Sequence, residues 1–291
     1  MEWDKSASAL LKKVPPFIQK TVREKVEMIA LERGRTLVTE AEVIAAREGF
    51  MGKSRIDPSQ TKSPVTNEKL SILRKYDKYF DADGNPVLYQ VKTCRGAEAN
   101  CPFLIEDPGL LAKKMRNRFE ELHFTRKLMD KIEGQILPHH TMKLAVAGCP
   151  NSCSMPQIKD FGVHAIEPVD VDSEVTCIEC MKCVEACRED AITVKDARVT
   201  IDKEKCVDCG MCARVCPTGT IKPEEVRYRV MVGGRVGRHP KFAMDLLPQA
   251  DESSTLKALE ACIEMMLSSK TEHRFRNIIE KAGIEGIKEK I

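Results

Sequence analysis

The sequence has few aromatic residues, little net charge and no long apolar run. Aromatic residues make up 5% of the 291 positions, and the formal net charge is +3 at pH 7. A charge this close to neutral gives no reason to predict a nucleic-acid partner. No apolar run approaches the roughly 20 residues that span a bilayer, and the first residues lack the apolar core of a signal peptide. The sequence therefore predicts no membrane span and a cytoplasmic location.

Cysteine, by contrast, is abundant. The chain has 13 cysteines, an odd number, and most of them lie in tight CxxC clusters rather than at spacings typical of disulfides. In a reducing compartment, cysteines at such spacing indicate metal binding.

Eight of the cysteines form a duplicated CxxCxxCxxxC motif. In each copy, three thiolates at this spacing can bind three irons of one cube, while the fourth lies on a helical turn that carries it toward the other cube. The motif therefore predicts two 4Fe-4S clusters with crossed ligation. One set is Cys177, Cys180, Cys183 and Cys216, and the other is Cys206, Cys209, Cys212 and Cys187.

The segment around this motif resembles the bacterial ferredoxins over about fifty residues. Residues 191–194 and 198–201 predict a hairpin between the two copies. Arg188 departs from the family, which usually has proline at that position, and the change costs turn rigidity but no ligand. Structural zinc or disulfides are the alternatives, although zinc accepts looser spacing and gives no reason for the duplication.

Four further cysteines can hold a third cube, and the sequence around them resembles the sirohaem-dependent sulfite and nitrite reductases. The resemblance lies in KLAVAGCPNSC and DFGV within residues 143–163, and in YRVMVGGRVGRHP at residues 228–240. It spans about residues 85–250 and includes an inserted ferredoxin domain. It implies an α+β reductase-like fold with a third 4Fe-4S cluster. The cysteines of this set are Cys94, Cys101, Cys149 and Cys153.

The same resemblance implies roles for individual residues. In that family the last cysteine of the set, here Cys153, bridges the cluster to the iron of a sirohaem, which is therefore a possible cofactor. Lys143 matches one of the family's substrate lysines by position. Lys92 or Arg95 is expected to serve as another cation at the catalytic site, because cations stabilise the anion and help to deliver protons.

Other basic residues are candidates from their positions alone. Arg235 and Arg238 surround the turn at residues 233–234, where they are expected to contact an anionic cofactor. His139 and His140 precede the strand that carries Lys143 and are candidates for a proton source. Adjacent histidines on a loop are, however, more often simply solvated.

The first fifty residues predict two or three short helices. Apolar residues recur at helical spacing on either side of a Pro15-Pro16 break. A further helix is predicted from Thr39, whose hydroxyl can cap it, to Gly49. This segment is similar to the small helical domain that ends one subunit of light-independent protochlorophyllide reductase. The similarity implies either a helical docking or capping domain, or contact with a tetrapyrrole.

Within the reductase-like part, a strand is predicted over residues 87–91 and a helix over 108–134. Buried-looking or alternating strands are predicted over 142–147 and 226–232. Two amphipathic helices are predicted in the last forty residues.

These observations predict an α+β chain in five segments. A small all-α domain occupies residues 1–50 and a linker residues 51–69. The first part of a sulfite and nitrite reductase-like domain covers residues 70–170. A two-cluster ferredoxin domain is inserted at 171–223, and the second part of the reductase-like domain with the C-terminal helices covers 224–291.

The predicted function is that of an iron-sulfur oxidoreductase. Electrons would pass through the clusters in a multi-electron reduction of a small oxyanion, with sulfite as the first candidate and nitrite as the second. Two alternatives remain: a sirohaem-free electron-transfer subunit of a larger redox complex, and a protein for which a tetrapyrrole is the substrate. The expected partners are an electron-donor protein or the other subunits of a redox complex.

Overall fold

The structure is a computed structural model that divides into two compact units, Met1–Asn67 with Phe80–Asn85 and Glu68–Tyr79 with Pro86–Ile291. Residues 80–85 therefore belong with the first unit, although the sequence assigns them to the reductase-like domain. The predicted linker lies outside the described residues except for its last two positions, which begin a helical turn. The described residues are 1–12, 14, 16–32, 35–43, 46, 68–96 and 98–291.

In the described part of the first unit, two helices and a pair of two-residue parallel strands come before the helix that follows Thr39. The buried core of the unit joins Ala7 to Val26, Ala30 and Val38. The sequence did not predict the strand pair. The elements are β1 (Glu2–Trp3), α1 (Lys5–Lys12), α2 (Pro16–Glu32) and β2 (Leu37–Val38).

The helix predicted from Thr39 is described over residues 40–43 and at residue 46. The Thr39 hydroxyl donates to the Glu42 carboxylate at 2.6 Å, and the same carboxylate accepts the Thr39 backbone N–H at 2.9 Å. This contact closes the first turn, as in half of a capping box. The predicted end at Gly49 lies outside the described residues.

A five-stranded mixed sheet and the helices on one of its faces dominate the second unit. The strand order is β11-β10-β5-β4-β3, with β3, β4 and β5 parallel and β10 antiparallel to both of its neighbours. The strands are β3 (Tyr89–Thr93), β4 (Met142–Ala147), β5 (Phe161–Ile166), β6 (Val169–Val171), β7 (Ile192–Lys195), β8 (Arg198–Ile201), β9 (Ile221–Pro223), β10 (Arg227–Val232) and β11 (Met244–Ala250). The helices are α3 (Pro108–Glu121), α4 (Phe124–Lys131), α5 (Lys182–Ala186), α6 (Met211–Val215), α7 (Glu252–Ser268), α8 (Phe275–Ala282) and α9 (Glu285–Lys288).

One face of the sheet is buried by helices. Helix α3 packs on β3 and β4, and α7 packs on β10 and β11. The Tyr89 ring stacks on Phe119 with the ring centroids 4.2 Å apart, and Phe119 meets Phe124 edge to face at 5.0 Å. Burial of these large side chains drives the packing of the layer. The α+β class predicted from the sequence is confirmed.

Three predicted elements differ from the structure. The last forty residues contain three helices, α7, α8 and α9, where the sequence predicts two. Strand β3 begins at Tyr89 rather than at residue 87, because the Val87 N–H donates outside the sheet to the Tyr79 carbonyl at 2.8 Å. The helix predicted over residues 108–134 is two helices, because His123 adopts a left-handed backbone with φ 50° and ends the first of them. Strands β6, β9 and β11 were not predicted.

The ferredoxin-like module extends from the end of the sheet. Strands β6 and β9 pair antiparallel, with Val169 opposite Pro223, and they close the base of the insertion. Strands β7 and β8 form the predicted hairpin, whose turn residues Asp196 and Ala197 have φ of 51° and 54°. Among the described residues, no helix is both long and apolar enough to cross a bilayer.

Candidate iron-sulfur centres and cationic face

The eight cysteines of the module gather around two separate cavities, in the crossed arrangement that the motif predicts. At the first cavity, burial raises the pKa of the Cys183 thiol, and the nearby Cys177 and Cys216 contribute to the rise. Partial burial favours a higher pKa for Cys216 as well. Hydrogen bonds from the N–H groups of Ile221, Thr218 and Gly219 and from the Thr218 hydroxyl outweigh it and lower the pKa to about 7. Its cysteines are Cys177, Cys180, Cys183 and Cys216.

The second cavity has a volume of about 350 Å³. Burial raises the pKa of the Cys212 thiol to about 11, and Cys209 and Cys206 add to that rise. A buried set of cysteines whose thiolates would repel one another is suited to a cationic metal cluster, which stabilises the thiolates that burial disfavours. The cysteines at this cavity are Cys187, Cys206, Cys209 and Cys212.

The duplication is visible in the backbone as well as in the sequence. Positions 29 residues apart share the same left-handed conformation: Glu179 and Asp208 have φ of 54° and 53°, and Met181 and Gly210 have φ of 61° and 68°. The second pair precedes α5 and α6, which carry the third cysteine of each copy. This repeated backbone geometry gives each cysteine motif the same turn around its cavity.

The third group of cysteines lies at the carboxyl ends of β3 and β4. Because these strands are parallel neighbours, Cys94 and Cys149, which follow them, meet at one edge of the sheet. The Gly148 N–H donates to Cys94 Sγ at 3.3 Å. Burial raises the pKa of the Cys149 thiol, and nearby Cys101, Cys94 and Cys153 raise it further. The structure thus brings all four predicted cysteines together.

Close packing leaves no space for a side chain at Gly148, which directly follows β4. A Cβ there would come within 2.4 Å of both the Glu106 carbonyl and Leu104 Cδ1. The Gly148 carbonyl accepts the Ile105 N–H at 2.9 Å, which ties the loop after Cys101 to the loop after β4. The two cysteine loops are therefore fixed to each other by backbone contacts.

A buried hydrogen bond supports the turn that carries Cys153. Ser152 Oγ and His164 Nδ1 are 3.0 Å apart, and both side chains are buried. Burial lowers the pKa of His164 to about 4, so the imidazole is neutral at physiological pH. No motif in the sequence points to His164, because its link to the turn depends on the strand register.

The cations Lys92, Lys143 and Lys159 lie together on the sheet face opposite the helices. Lys143 is exposed on an otherwise buried strand. Burial lowers the pKa of Lys159, and Lys92 and Lys143 lower it further. The loop that carries Cys153 lies over this face, since a Cβ on Gly162 would come within 2.2 Å of the Pro156 carbonyl oxygen. Lys159 was not predicted as a site residue.

Unpartnered donors occur in the same region. Among the described residues, the buried atoms Gln90 Nε2, His273 Nδ1 and Arg276 Nε have no hydrogen-bond partner. Gln90 lies directly opposite Lys143 in the sheet. Buried donors beside a group of cations fit a polycarboxylate such as sirohaem or an oxyanion, either of which would supply acceptors.

Asp160 is the anionic partner of this cationic group. Burial raises its pKa to about 6, although the Lys143 N–H and the charges of Lys143, Arg276 and Lys159 lower it. Its carboxylate accepts the Lys143 N–H at 2.8 Å. Asp160 therefore fixes the backbone of the lysine that the sequence predicts to contact substrate.

The two candidate histidines lie beside a third. The rings of His139 and His140 meet edge to face with the centroids 4.4 Å apart, and His140 is 5.9 Å from His273. Burial lowers the pKa of His140 to about 4, and it also lowers that of His139, with a smaller contribution from Lys143. A role as a proton source stays a prediction.

The remaining predicted cations differ in their surroundings. Arg235 donates to the Glu280 carboxylate at 2.6 Å and to the His239 carbonyl at 2.7 Å, so its guanidinium is already engaged. Arg238 and Arg95 are exposed, the latter in the loop between Cys94 and Cys101. The structure therefore brings Lys92 and Lys143 together. Arg235 is not available to them as a further cation, because its guanidinium is bound to Glu280 and to the His239 carbonyl.

The cysteine geometry also bears on the zinc alternative. Among the described residues, no group of three or more His, Cys, Asp or Glu side chains could hold a single metal ion. Thiolates on one zinc ion lie about 3.8 Å apart, because each bonds to the same atom at about 2.3 Å. A cube of four irons keeps its thiolates farther apart. No cysteine set among the described residues is thus arranged as a site for a single zinc ion.

Comparison with known families agrees with this arrangement. A family model described as the nitrite and sulphite reductase 4Fe-4S domain matches residues 85–291. The chain belongs to this family. A second model, described as the proto-chlorophyllide reductase 57 kD subunit, matches residues 3–47, where the sequence predicted that similarity. The protein is thus an iron-sulfur oxidoreductase related to sulfite reductases and ferredoxins.

Curated relatives include one protein of similar extent and two larger enzymes. The chain is 29% identical over 220 residues to an uncharacterized protein of Methanocaldococcus jannaschii, covering 76% of this chain and 71% of that protein. It is 30% identical to the coenzyme F420-dependent sulfite reductase of the same organism, covering 57% of this chain and 24% of that enzyme. It is also 30% identical to the dissimilatory-type sulfite reductase subunit beta of Archaeoglobus fulgidus, covering 36% of this chain and 32% of that subunit. The chain thus spans a third or less of either sulfite reductase.

Proposed function

We propose that this protein reduces a small oxyanion with electrons that pass through three 4Fe-4S clusters, with sulfite as the first substrate and nitrite as the second. The observation that carries the proposal is the group of Lys92, Lys143 and Lys159 on the sheet face over which the Cys153 loop lies. Cations beside an electron-delivering centre stabilise an anion that gains electrons and protons.

The twelve clustered cysteines form three sets of four, one for each cluster. The sets of Cys177 and Cys206 hold the two clusters of the module, and the set of Cys94 holds the third. When bound, the clusters would supply electrons one at a time to the reaction. Lys92 and Lys143 bind the oxyanion, and Lys143 is held in position by the hydrogen bond from its backbone N–H to Asp160.

Sirohaem is the proposed additional cofactor, and Cys153 would be the residue that holds it next to the third cluster. Two observations support the proposal: Cys153 is exposed, and the neighbouring face has cations and unpartnered donors suited to carboxylates. Arg238, which is exposed, is a further candidate for a carboxylate contact. Arg235 would have to release Glu280 before it could contribute.

The second candidate function is a sirohaem-free electron-transfer subunit of a larger redox complex. It is favoured by the similarity to the dissimilatory-type subunit beta, which is itself one subunit of a sulfite reductase. Under this function, other subunits or an electron-donor protein would bind the module, and the cationic face would meet an anionic partner. A tetrapyrrole as substrate is the third candidate, supported by the match of residues 3–47.

The test is a visible absorption spectrum of the anaerobically purified protein, with iron and sulfide analysis and acid-acetone extraction. We expect about twelve iron atoms per chain, as three cubes require, and an extractable isobacteriochlorin near one per chain. Three cubes without a tetrapyrrole would contradict the reductase function and support the electron-transfer subunit.

A lysine variant tests the oxyanion site directly. We expect Lys143→Ala to reduce sulfite turnover by about tenfold or more without loss of iron, because it removes a charge that faces the anion and leaves all twelve cysteines. Lys127→Ala, on the exposed side of α4, is the matched control and should leave turnover unchanged. Unchanged turnover in Lys143→Ala would remove this lysine from the site.

A further inference from the structure

An aromatic contact joins the ferredoxin-like module to the loop of the third cysteine group. The guanidinium carbon of Arg188 lies 4.4 Å from the centroid of the Phe103 ring, within the range of a cation-π interaction. Arg188 directly follows Cys187, and Phe103 lies two residues after Cys101. The contact thus connects the chain next to a cysteine of one set with the chain next to a cysteine of another.

The same two residues line the cavity of the second cysteine set. That cavity is bounded on the module side by Cys187 and Arg188, and on the sheet side by Phe103 and by Cys149 with Pro150. The cavity of the Cys177 set has a different boundary, because the described residues that line it all belong to the module. The second set, and not the first, therefore faces the third.

A second attachment holds the module on another side. Glu167, just after β5, forms an ion pair with Arg214 of α6 at 3.3 Å, and its N–H donates to the Asp208 carbonyl at 2.8 Å. Gln249 of β11 donates to the Asp208 carboxylate at 3.2 Å. These contacts all reach the Cys206–Cys216 half of the module, whereas the contact between Arg188 and Phe103 reaches the other half.

We propose that Arg188 is a positioning residue: through Phe103 it sets the separation between the Cys206 set and the Cys94 set, across which electrons leave the module. The inference rests on the proposed cluster assignment. In this step one electron is lost on the Cys206 side and one is gained on the Cys94 side, with no bond or proton changed. The electron is first supplied by a low-potential one-electron donor. A proline at this position, as in the bacterial ferredoxins, could not make the contact.

The test uses Arg188→Gln, Arg188→Lys and Phe103→Leu in the full-length protein, reduced with dithionite. The readouts are the magnetic interaction between reduced clusters in electron paramagnetic resonance spectra and the rate of electron transfer out of the module. Loss of a solvent-exposed cation-π contact changes the ratio of docked to undocked arrangements by roughly two- to fivefold. We expect both readouts to fall in Arg188→Gln and Phe103→Leu, by at most that factor because they follow the docked fraction, and Arg188→Lys to recover part of the loss.

Lys205→Gln is the matched control. Lys205 directly precedes Cys206 and pairs with Asp202 at 3.7 Å in an exposed position, so the variant removes one positive charge next to the same cysteine set without altering the Phe103 contact. A shift in reduction potential common to Lys205→Gln and Arg188→Gln reports charge alone. Weaker magnetic interaction confined to the Arg188 and Phe103 variants supports the proposal.

Iron analysis separates this inference from the proposed function. Three cubes in every variant, with magnetic interaction and transfer rate equal to those of the unmodified protein, would overturn the role of Arg188 while leaving the proposed function intact. Fewer than three cubes in the unmodified protein would overturn the cluster assignment and the inference with it.

Discussion

Asp160 is half-buried and lies among the charges of the cationic group. Burial raises its pKa to about 6, while the Lys143 N–H and the neighbouring charges of Lys143, Arg276 and Lys159 limit the rise. At physiological pH the carboxylate is therefore mostly ionised in a place where ionisation costs free energy. Its negative charge offsets part of the repulsion among the cations around it.

This pKa gives the folded protein a specific dependence on pH. Because the pKa of Asp160 is higher in the folded chain than its ordinary value of 3.8, the destabilisation grows as pH rises from about 4 to about 6 and is complete above that range. We expect the unmodified protein to lose about 1 kcal/mol more in its free energy of unfolding than Asp160→Asn between pH 5 and pH 7.5.

Denaturant unfolding at both pH values measures this difference, and the other titrating groups cancel in the comparison. Asp130→Asn, an exposed change on α4, should track the unmodified protein. Parallel pH profiles for Asp160→Asn and the unmodified protein would show that the Asp160 pKa is not raised.

At the residue scale, the sequence predicts what depends on a motif and misses what depends on the register of strands. The choice of the twelve clustered cysteines and of Lys143 as site residues follows from their spacing or from the family resemblance. Asp160, Lys159 and the pair of Ser152 with His164 carry no local signal, because each acquires its partner only when β4 and β5 align.

Two glycines of the module have the same backbone conformation but different surroundings. Gly210 has φ of 68°, and a Cβ there would come within 1.9 Å of Glu167 Oε2. Gly219 has φ of 72°, and nothing lies within 4 Å of the position that its Cβ would take. Alanine variants at the two positions therefore separate two contributions to the free energy of unfolding: that of a left-handed residue, and that of displacing Glu167.

We expect Gly219→Ala to destabilise the protein by about 1 kcal/mol, since alanine is disfavoured at positive φ. Gly210→Ala should cost a further 1 to 3 kcal/mol or so, because the methyl group must displace Glu167 and with it the ion pair to Arg214. Thermal unfolding of the intact protein measures both. Equal losses in the two variants would show that Glu167 moves away at no cost.

Elements with a strong pattern were predicted well. Strand β4 has the predicted bounds, and the hairpin of β7 and β8 follows from its alternation. Strand β11 was missed because its sequence, MDLLPQA, contains an aspartate and a proline, which an edge strand tolerates. The break at His123 was missed because a single left-handed residue inside an apolar stripe leaves no pattern to detect.

At the scale of the whole molecule, the twelve clustered cysteines form three separate sets, so we expect a variant in one set to lose only the cluster of that set. We expect Cys153→Ser to lower iron from about twelve to about eight atoms per chain, and to leave the spectroscopic signals of the module, because Cys153 belongs to the third set alone. Iron and sulfide analysis with electron paramagnetic resonance measures the change.

Cys262→Ala is the matched control for that measurement. Cys262 is fully buried in α7, and burial alone raises the pKa of its thiol. The variant should retain all iron despite a smaller core side chain. A loss of half the iron or more in Cys153→Ser would show that the three sets do not assemble independently.

The pairing of β6 with β9 has a consequence for how such a chain can change over evolutionary time. Strands β5 and β10 are adjacent and antiparallel, with Ile166 opposite Arg227, so without the module they would be the two arms of one hairpin. The module begins and ends at the tip of that hairpin, and its two ends are already joined by β6 and β9. A lineage can therefore gain, lose or exchange the ferredoxin-like module by altering one hairpin tip, with the sheet and its cationic face left in register.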